Sequence, residues 1–146
     1  MPPRALSADD GQHDQRDRFD LTAAFAYTHA RVDGGAEAPQ LTGKRPAETP
    51  QVVVTAAANW RAAEPLTLSA ELRYESARFD DDQNTRLIEA GTGVNVRADV
   101  RISAALGAFV AADNVFDANL QTGRSAAGVV TYDAPRVVRV GLRYRR

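Results

Sequence analysis

The feature that most constrains the fold is a period-two alternation of apolar and polar residues, which begins at residue 19 and recurs in six segments. Alternation of this kind places the two sets of side chains on opposite faces of a β-strand, and no helical period competes with it after residue 18. The sequence therefore predicts an all-β chain with about six long strands. The segments begin at Phe19, Val52, Leu66, Val94, Leu106 and Val138.

The connections between these segments alternate strictly between long and short. Residues 32–51, 80–93 and 117–135 form long connections rich in Gly, Asp and Pro, whereas residues 62–65 and 103–105 form tight turns. Long loops on one side and short turns on the other are typical of outer-membrane barrels, where the short turns are periplasmic. The pattern predicts an antiparallel up-and-down meander that forms the C-terminal part of a transmembrane β-barrel.

The charged residues of the alternating segments indicate which face would meet lipid. One Arg at the bilayer midplane costs about 2–4 kcal/mol on the lipid side, so the charged set should face the lumen. Aromatic residues near the segment ends are expected at the two membrane interfaces, with Phe19, Trp60 and Tyr144 on the short-turn side. The lumen-facing candidates are Glu71, Arg73, Glu75, Arg97, Asp99 and Arg101.

Two other architectures fit the same periodicity. A soluble β-sandwich would pack the apolar faces of two sheets together and bind a ligand or partner through its long loops. A piece of a different outer-membrane barrel, such as an adhesin or a porin, would show the same alternation.

Composition excludes several classes of function. The chain has no cysteine, so thiolate metal sites and cysteine nucleophiles are ruled out. Its 18 basic and 19 acidic residues give a net charge of -1, which offers no electrostatic basis for binding nucleic acid. No catalytic constellation is present, so we expect a protein that is not an enzyme and has no cofactor. Residues 1–17 are polar and are expected to be a disordered segment without the apolar core of a signal peptide.

Several short motifs near the C-terminus are more specific than the periodicity. The run 113–117 (DNVFD) resembles the N-L-F-D element that ends the penultimate strand of TonB-dependent outer-membrane receptors, and residues 134–136 (APR) resemble the G-x-P-R before their last strand. Upstream, residues 43–50 (GKRPAETP) are similar to a G-x-x-P-x-x-P element that precedes a late strand of that family. The resemblance covers residues 18–146, which are about the last six strands of such a barrel.

The resemblance implies a role in the outer membrane of a Gram-negative bacterium, in uptake of an iron–siderophore or a similar scarce nutrient. The implied partners are outer-membrane lipid, the remainder of the barrel and its plug, the barrel-assembly machinery, and TonB through an N-terminal part that this chain lacks. Six strands cannot close such a barrel, so we expect the chain not to transport alone. The implied assembly signal ends on Arg146 where the family has Phe, and it comprises Val138, Val140, Leu142 and Tyr144.

The resemblance also implies roles for individual residues. The lumen-facing candidates would contact the plug, and Arg124, Ser125 and Tyr132 in the last long loop would contact the transported ligand. The acidic run with Asp80, Asp81, Asp82 and Asn84 could supply oxygen ligands to calcium, but it lacks the Gly and Glu of a calcium loop, and a solvated loop is the preferred interpretation. His13 and His29 are too far apart in the sequence to indicate a metal site, and no metal is expected.

Overall fold

The structure is a computed structural model, and it describes residues 18–146, so the expected disordered segment 1–17, which includes His13, lies outside the described residues. Ten strands and one short 3-10 helix, Pro39–Leu41, form along this part of the chain. The strands are β1 (Phe19–Tyr27), β2 (Val52–Ala63), β3 (Leu66–Glu75), β4 (Arg78–Phe79), β5 (Leu87–Ile88), β6 (Gly91–Arg101), β7 (Leu106–Asp113), β8 (Gln121–Arg124), β9 (Val130–Tyr132) and β10 (Val137–Tyr144).

The six long strands form one sheet in the order β1-β2-β3-β6-β7-β10, and every neighbouring pair is antiparallel. The predicted meander is therefore confirmed, with each strand beside the next long strand of the sequence. The β-sandwich alternative is wrong, because no second large sheet packs on this one in the described part of the chain. Strand pairs β4–β5 and β8–β9 are small separate hairpins inside two of the long connections, and the sequence did not predict them.

Cross-strand partners lie on the same face of a sheet, so the register assigns each side chain to a face. One row of partners is apolar throughout, and the neighbouring row on the opposite face is largely polar or charged. The apolar row contains Phe19, Trp60, Leu68, Ala98, Val110 and Val140. The polar row contains Asp20, Asn59, Ser69, Arg97, Ala111 and Arg139.

The apolar face of the sheet is uncovered. Val140 is 78% exposed, Leu142 is 74% exposed and Phe25 is 69% exposed. Among the described residues, the fully buried apolar side chain of largest volume is Ile88, which belongs to the small hairpin β4–β5 and not to the six-stranded sheet. A continuous apolar surface of this kind needs another medium or surface to cover it. This sheet is a single layer with one apolar and one polar face.

The first two long connections are joined to each other. The side chain of Asn84 accepts a hydrogen bond from the backbone N–H of Arg45 at 2.7 Å and donates one to the carbonyl of Arg45 at 2.8 Å. Lys44 donates from Nζ to the carbonyl of Gln83 at 3.0 Å. Asn84 has a φ of 57°, a conformation that Asn tolerates better than most residues. The two connections thus form one hydrogen-bonded unit at the long-loop end of the sheet.

The acidic run in the second connection, predicted to be a solvated loop, is exposed at Asp82 but not at Asp81. Asp81 is buried, and its carboxylate accepts hydrogen bonds from the backbone N–H groups of Thr85 and Arg86 and from the Thr85 hydroxyl, at 2.7 to 2.9 Å. Burial opposes ionisation, but these hydrogen bonds and the Arg86 charge outweigh it and hold the pKa of Asp81 below its ordinary value. Asp81 organises the turn between β4 and β5.

No helix formed by the described residues is both long enough and apolar enough to span a membrane.

Candidate functional site

The polar face of the sheet, called the inner face below, carries most of the charged residues singled out in the sequence. The six-stranded sheet brings Glu71, Arg73 and Glu75 of β3 onto the same face as Arg97 and Asp99 of β6. Arg101, at the end of β6, shares this face by parity and donates from a guanidinium nitrogen to Glu64 in the adjacent turn at 2.9 Å. The register therefore assigns all six candidates to a single face, as the alternation indicated.

Two ion pairs on this face run along a single strand. Arg97 donates to Asp99 from Nε at 2.5 Å and from a terminal nitrogen at 2.7 Å, so two residues on one strand make a two-pronged contact. Arg73 pairs with Glu75 in the same way along β3, and Glu75 also accepts from Arg78 at 2.9 Å. Other pairs on this face join different strands, because Arg139 of β10 pairs with Asp113 of β7 and Arg143 of β10 approaches Asp99 of β6 at 3.9 Å.

Glu71 differs from the other candidates. It lies opposite Ala57 on β2 and Asn95 on β6, and it forms none of the ion pairs found within residues 18–146. Among the six candidates, Glu71 is therefore the one whose charge has no ion-pair partner within residues 18–146, so its carboxylate can accept a new cationic group.

A cavity of about 860 Å³ lies over the inner face toward the long-loop end. Strands β2, β3, β6, β7 and β10 contribute to its wall, and the connection between β7 and β10 covers part of it. Its charged lining residues are Glu71, Arg73, Glu75, Arg78, Glu89, Asp113, Asp133 and Arg139. The cavity thus joins the charged inner face to the last long connection.

Leu120 shows how that connection reaches the sheet. A Cβ at Gly91 would lie 2.9 Å from one Leu120 methyl group, and a Cβ at Gly93 would lie 3.3 Å from the other. Both glycines belong to β6, on the inner face, where the lack of side chains leaves room for the leucine. The connection between β7 and β10 therefore folds over the inner face instead of extending away from the sheet.

Side chains of the motif at residues 113–117 hold the two ends of this connection together. Asn114 is buried, and its amide donates to the carbonyls of Ala118 at 2.9 Å and Ala134 at 3.2 Å while its oxygen accepts the N–H of Ala118 at 2.9 Å. Asp117 accepts the backbone N–H of Arg136 at 2.9 Å. The two sequence motifs, 113–117 and 134–136, are thus in direct contact, and the sequence signal for these residues was the motif itself.

A second group of residues on the inner face was not singled out from the sequence. Phe109 lies between Asp99 of β6 and Gly141 of β10, and its ring occupies the space where a Gly141 side chain would be. The guanidinium of Arg97 lies 4.0 Å from the centre of this ring. Phe109 is apolar but occupies a polar-face position, and its role becomes visible only when the glycine on the neighbouring strand is known.

The three loop candidates lie on the small β8–β9 hairpin. Arg124 ends β8, Tyr132 ends β9 and is 54% exposed, and the Ser125 hydroxyl accepts the N–H of Val129 at 3.1 Å within the turn. None of the three lines the inner-face cavity. The structure therefore separates these exposed residues from the charged inner face.

The remaining candidates lie where their parity placed them. Val138, Val140, Leu142 and Tyr144 share the apolar face of β10, and each is more than half exposed. His29 follows the end of β1 and is exposed. Among the described residues, no cluster of three or more His, Cys, Asp or Glu has the geometry to hold a metal ion, and both oxygens of Asp81 already accept hydrogen bonds.

A long antiparallel meander with an uncovered apolar face, an ion-paired inner face and long connections at one end defines a section of the wall of an up-and-down β-barrel. Solved structures with the same fold are siderophore receptors. The chain is similar to the siderophore receptor PiuA from Acinetobacter baumannii, with 16% identity and a TM-score of 0.76 over 88% of this chain and 20% of the receptor.

Two further receptors give nearly the same result. The ferric-catecholate import receptor Fiu from E. coli K12, in its closed form, matches 88% of this chain and 19% of the receptor, with 16% identity and a TM-score of 0.74. The ferric citrate transporter FecA in its unliganded form matches 87% of this chain and 21% of the transporter, with 17% identity and a TM-score of 0.72. The chain spans about a fifth of the length of these proteins. No protein-family model and no curated protein matches the sequence.

Proposed function

We propose that this chain forms part of the barrel wall of a TonB-dependent outer-membrane receptor that imports an iron–siderophore complex or a similarly scarce nutrient. The observation that carries the proposal is the two-faced six-stranded sheet, whose geometry matches a sector of known siderophore receptors over 88% of the chain. The apolar face would contact outer-membrane lipid, and the inner face would contact the plug.

The inner-face residues differ in what they can contribute. In each of the pairs Arg97–Asp99 and Arg73–Glu75, the two charges neutralise one another. These pairs would therefore give the lumen a polar but nearly neutral lining. Glu71 would accept a cationic group of the plug. Arg124, Ser125 and Tyr132, exposed on the β8–β9 hairpin, would meet the ligand before it reaches the lumen.

Transport requires more strands than the described sheet contains. Strands β1 and β10 are the edges of the described sheet, and backbone groups at an open edge cannot be satisfied in the hydrocarbon core. The chain would therefore work beside the remainder of a barrel and its plug. In this proposal, the barrel-assembly machinery inserts the complete wall, and TonB acts through the part that carries the plug.

The test uses two forms of the protein in a strain without siderophore receptors. The first is the 146-residue chain behind an export signal, and the second is the receptor Fiu with the matching sector replaced by residues 18–146. We expect the graft to reach the outer membrane, to migrate as a closed barrel on an unheated gel and to restore TonB-dependent uptake of a labelled ferric catecholate.

The chain alone should give no uptake and should be insoluble without detergent. Recovery of the exported chain as a soluble periplasmic monomer would contradict the membrane assignment. Uptake restored by the 146 residues alone would contradict the proposal that further strands are needed.

A further inference from the structure

Arginines are concentrated at the short-turn end of the inner face. Arg101 of β6 and Arg143 of β10 both lie opposite Gly107 of β7, so the three residues form one row across three strands. Gly107 has no side chain to separate the two arginines. A cavity of about 270 Å³ lies over this row, and Arg101, Arg143 and Arg145 contribute to its wall. Three arginines therefore border one small cavity.

Two further arginines extend this basic surface along the same end of the sheet. Arg61 of β2 lies opposite Thr67 of β3, which is itself a partner of Asp99, so Arg61 belongs to the inner face. Arg18 shares that face by parity with Asp20, and its carbonyl accepts the N–H of Arg61 at 2.7 Å. We call the five arginines the basic band. Its members are Arg18, Arg61, Arg101, Arg143 and Arg145.

The carboxylates near the basic band neutralise only part of its charge. Both oxygens of Asp99 already accept hydrogen bonds from Arg97, and Arg143 approaches this carboxylate at 3.9 Å. Arg101 pairs with Glu64, whose side chain is 92% exposed. An exposed pair of this kind contributes little to stability, so Arg101 can exchange Glu64 for another carboxylate.

The net charge of the inner face changes sign along the strands. The short-turn end carries the five arginines of the basic band and three carboxylates, those of Asp20, Glu64 and Asp99. The larger cavity toward the long-loop end is lined instead by five carboxylates and three arginines. A partner that fills the lumen is therefore matched best when its positive charge lies toward the long loops and its negative charge toward the short turns.

From this distribution we propose that the basic band binds an acidic peptide segment, which in a complete receptor belongs to the plug at the short-turn end of the lumen. Each guanidinium can bind a carboxylate through two parallel hydrogen bonds. The inference rests on the proposed function, because it requires the inner face to enclose a lumen.

The shape of the basic band favours a peptide over a single small anion. Its members lie on β2 and β6, at the start of β1 and at the end of β10, so the band crosses the whole sheet. Neighbouring strands are about 4.8 Å apart, and five such spacings extend over roughly 24 Å. One small anion can contact only a part of this distance, whereas an extended acidic segment can place several carboxylates along it.

The test uses the full chain folded in non-ionic detergent micelles, which cover its apolar face, and a fluorescein-labelled hexaglutamate peptide as the probe. Fluorescence anisotropy measures the binding. We expect the peptide to bind the natural chain, and inorganic phosphate at matched ionic strength should not displace it.

Two double variants make the test specific. Arg101→Gln with Arg143→Gln should weaken peptide binding about tenfold, because hydrogen bonds to charged groups are lost. Both side chains are more than half exposed, so their replacement should leave the fold intact. The matched control, Arg31→Gln with Arg136→Gln, removes the same charge from exposed positions in the long connections and should retain the affinity.

Three results would overturn the inference: no binding by the natural chain, equal weakening by the two double variants, or displacement of the peptide by phosphate at matched ionic strength. The last of these would indicate a site for small anions. None of them bears on the proposed function, because the uptake test with the Fiu graft reports on that function separately.

Discussion

The carboxylate of Asp117 accepts a hydrogen bond from the backbone N–H of Arg136, which lies 19 positions later in the sequence. Beside it, Asn114 bridges the carbonyls of Ala118 and Ala134. These contacts hold together the two ends of the connection between β7 and β10, the segment that folds over the inner face. They give a structural reason for the two sequence motifs at residues 113–117 and 134–136.

Replacing Asn114 by Ala should destabilise the protein by about 1–3 kcal/mol, because buried hydrogen-bonding groups lose their partner. Asn114 has a φ of 48°, so an Asn114→Gly variant should lose the same hydrogen bonds but be less destabilised than Asn114→Ala. Urea unfolding in detergent micelles measures both. The control is Asn119→Ala, at an exposed position in the same connection, which should hardly change the free energy of unfolding. Equal losses of stability at positions 114 and 119 would contradict the role of Asn114 in holding the ends of the connection together.

The contact between Phe109 and Gly141 should couple the last two long strands. A Cβ at Gly141 would lie 2.5 Å from the Phe109 ring, so Gly141→Ala should cost about 1–3 kcal/mol through overpacking. In the presence of Phe109→Ala the same substitution should cost much less, because the space is then empty. A double-mutant cycle by urea unfolding measures this coupling, and additive effects would show that the ring and the glycine act independently.

The sequence predicts the long strands of this fold but not its small hairpins. The long strands were predictable because one physical constraint, an apolar outer face and a charged inner face, repeats over many residues. The hairpins β4–β5 and β8–β9 were not, because strands of two to four residues are too short to display a period.

Single residues that break the pattern were also missed. Phe109 contradicts the local alternation, and only the register with Gly141, 32 positions later, explains it. The inward fold of the last connection depends on Leu120 meeting two glycines of another strand, a contact that no local pattern encodes. The side of the sheet could be predicted for Arg97 and Asp99, but their pairing along one strand could not.

Cysteine labelling can test the two faces, because the natural chain has no cysteine. Leu142 and Arg143 are adjacent on β10 and lie on opposite faces. With the protein in detergent micelles, which cover an exposed apolar face as lipid would, a water-soluble maleimide should modify the Arg143→Cys variant and leave the Leu142→Cys variant largely unmodified. Both should react fully after unfolding in urea, and equal reaction in micelles would refute an apolar environment at this face.

The turn organised by Asp81 should lose order in acid. The folded-state pKa of Asp81 is lower than the ordinary carboxyl value of 3.8, so its stabilising effect is present above that value and disappears as the pH falls through the folded pKa. Hydrogen-exchange protection of the Thr85 and Arg86 amides should therefore decrease on titration below pH 3.8. The Asp81→Asn variant should show weaker protection at neutral pH and no such acid transition. An unchanged transition in this variant would assign it to another group.

The hydrogen bonds between Asn84 and Arg45 have a consequence for how such loops can diversify. A graft that exchanges only the first long connection leaves the side-chain amide of Asn84 without its partner. A graft that exchanges only the second leaves the backbone N–H and C=O of Arg45 without theirs. The two connections therefore form a single exchangeable cassette. A receptor engineer would need to transplant them together, and a change in the length of one would favour a compensating change in the other during descent.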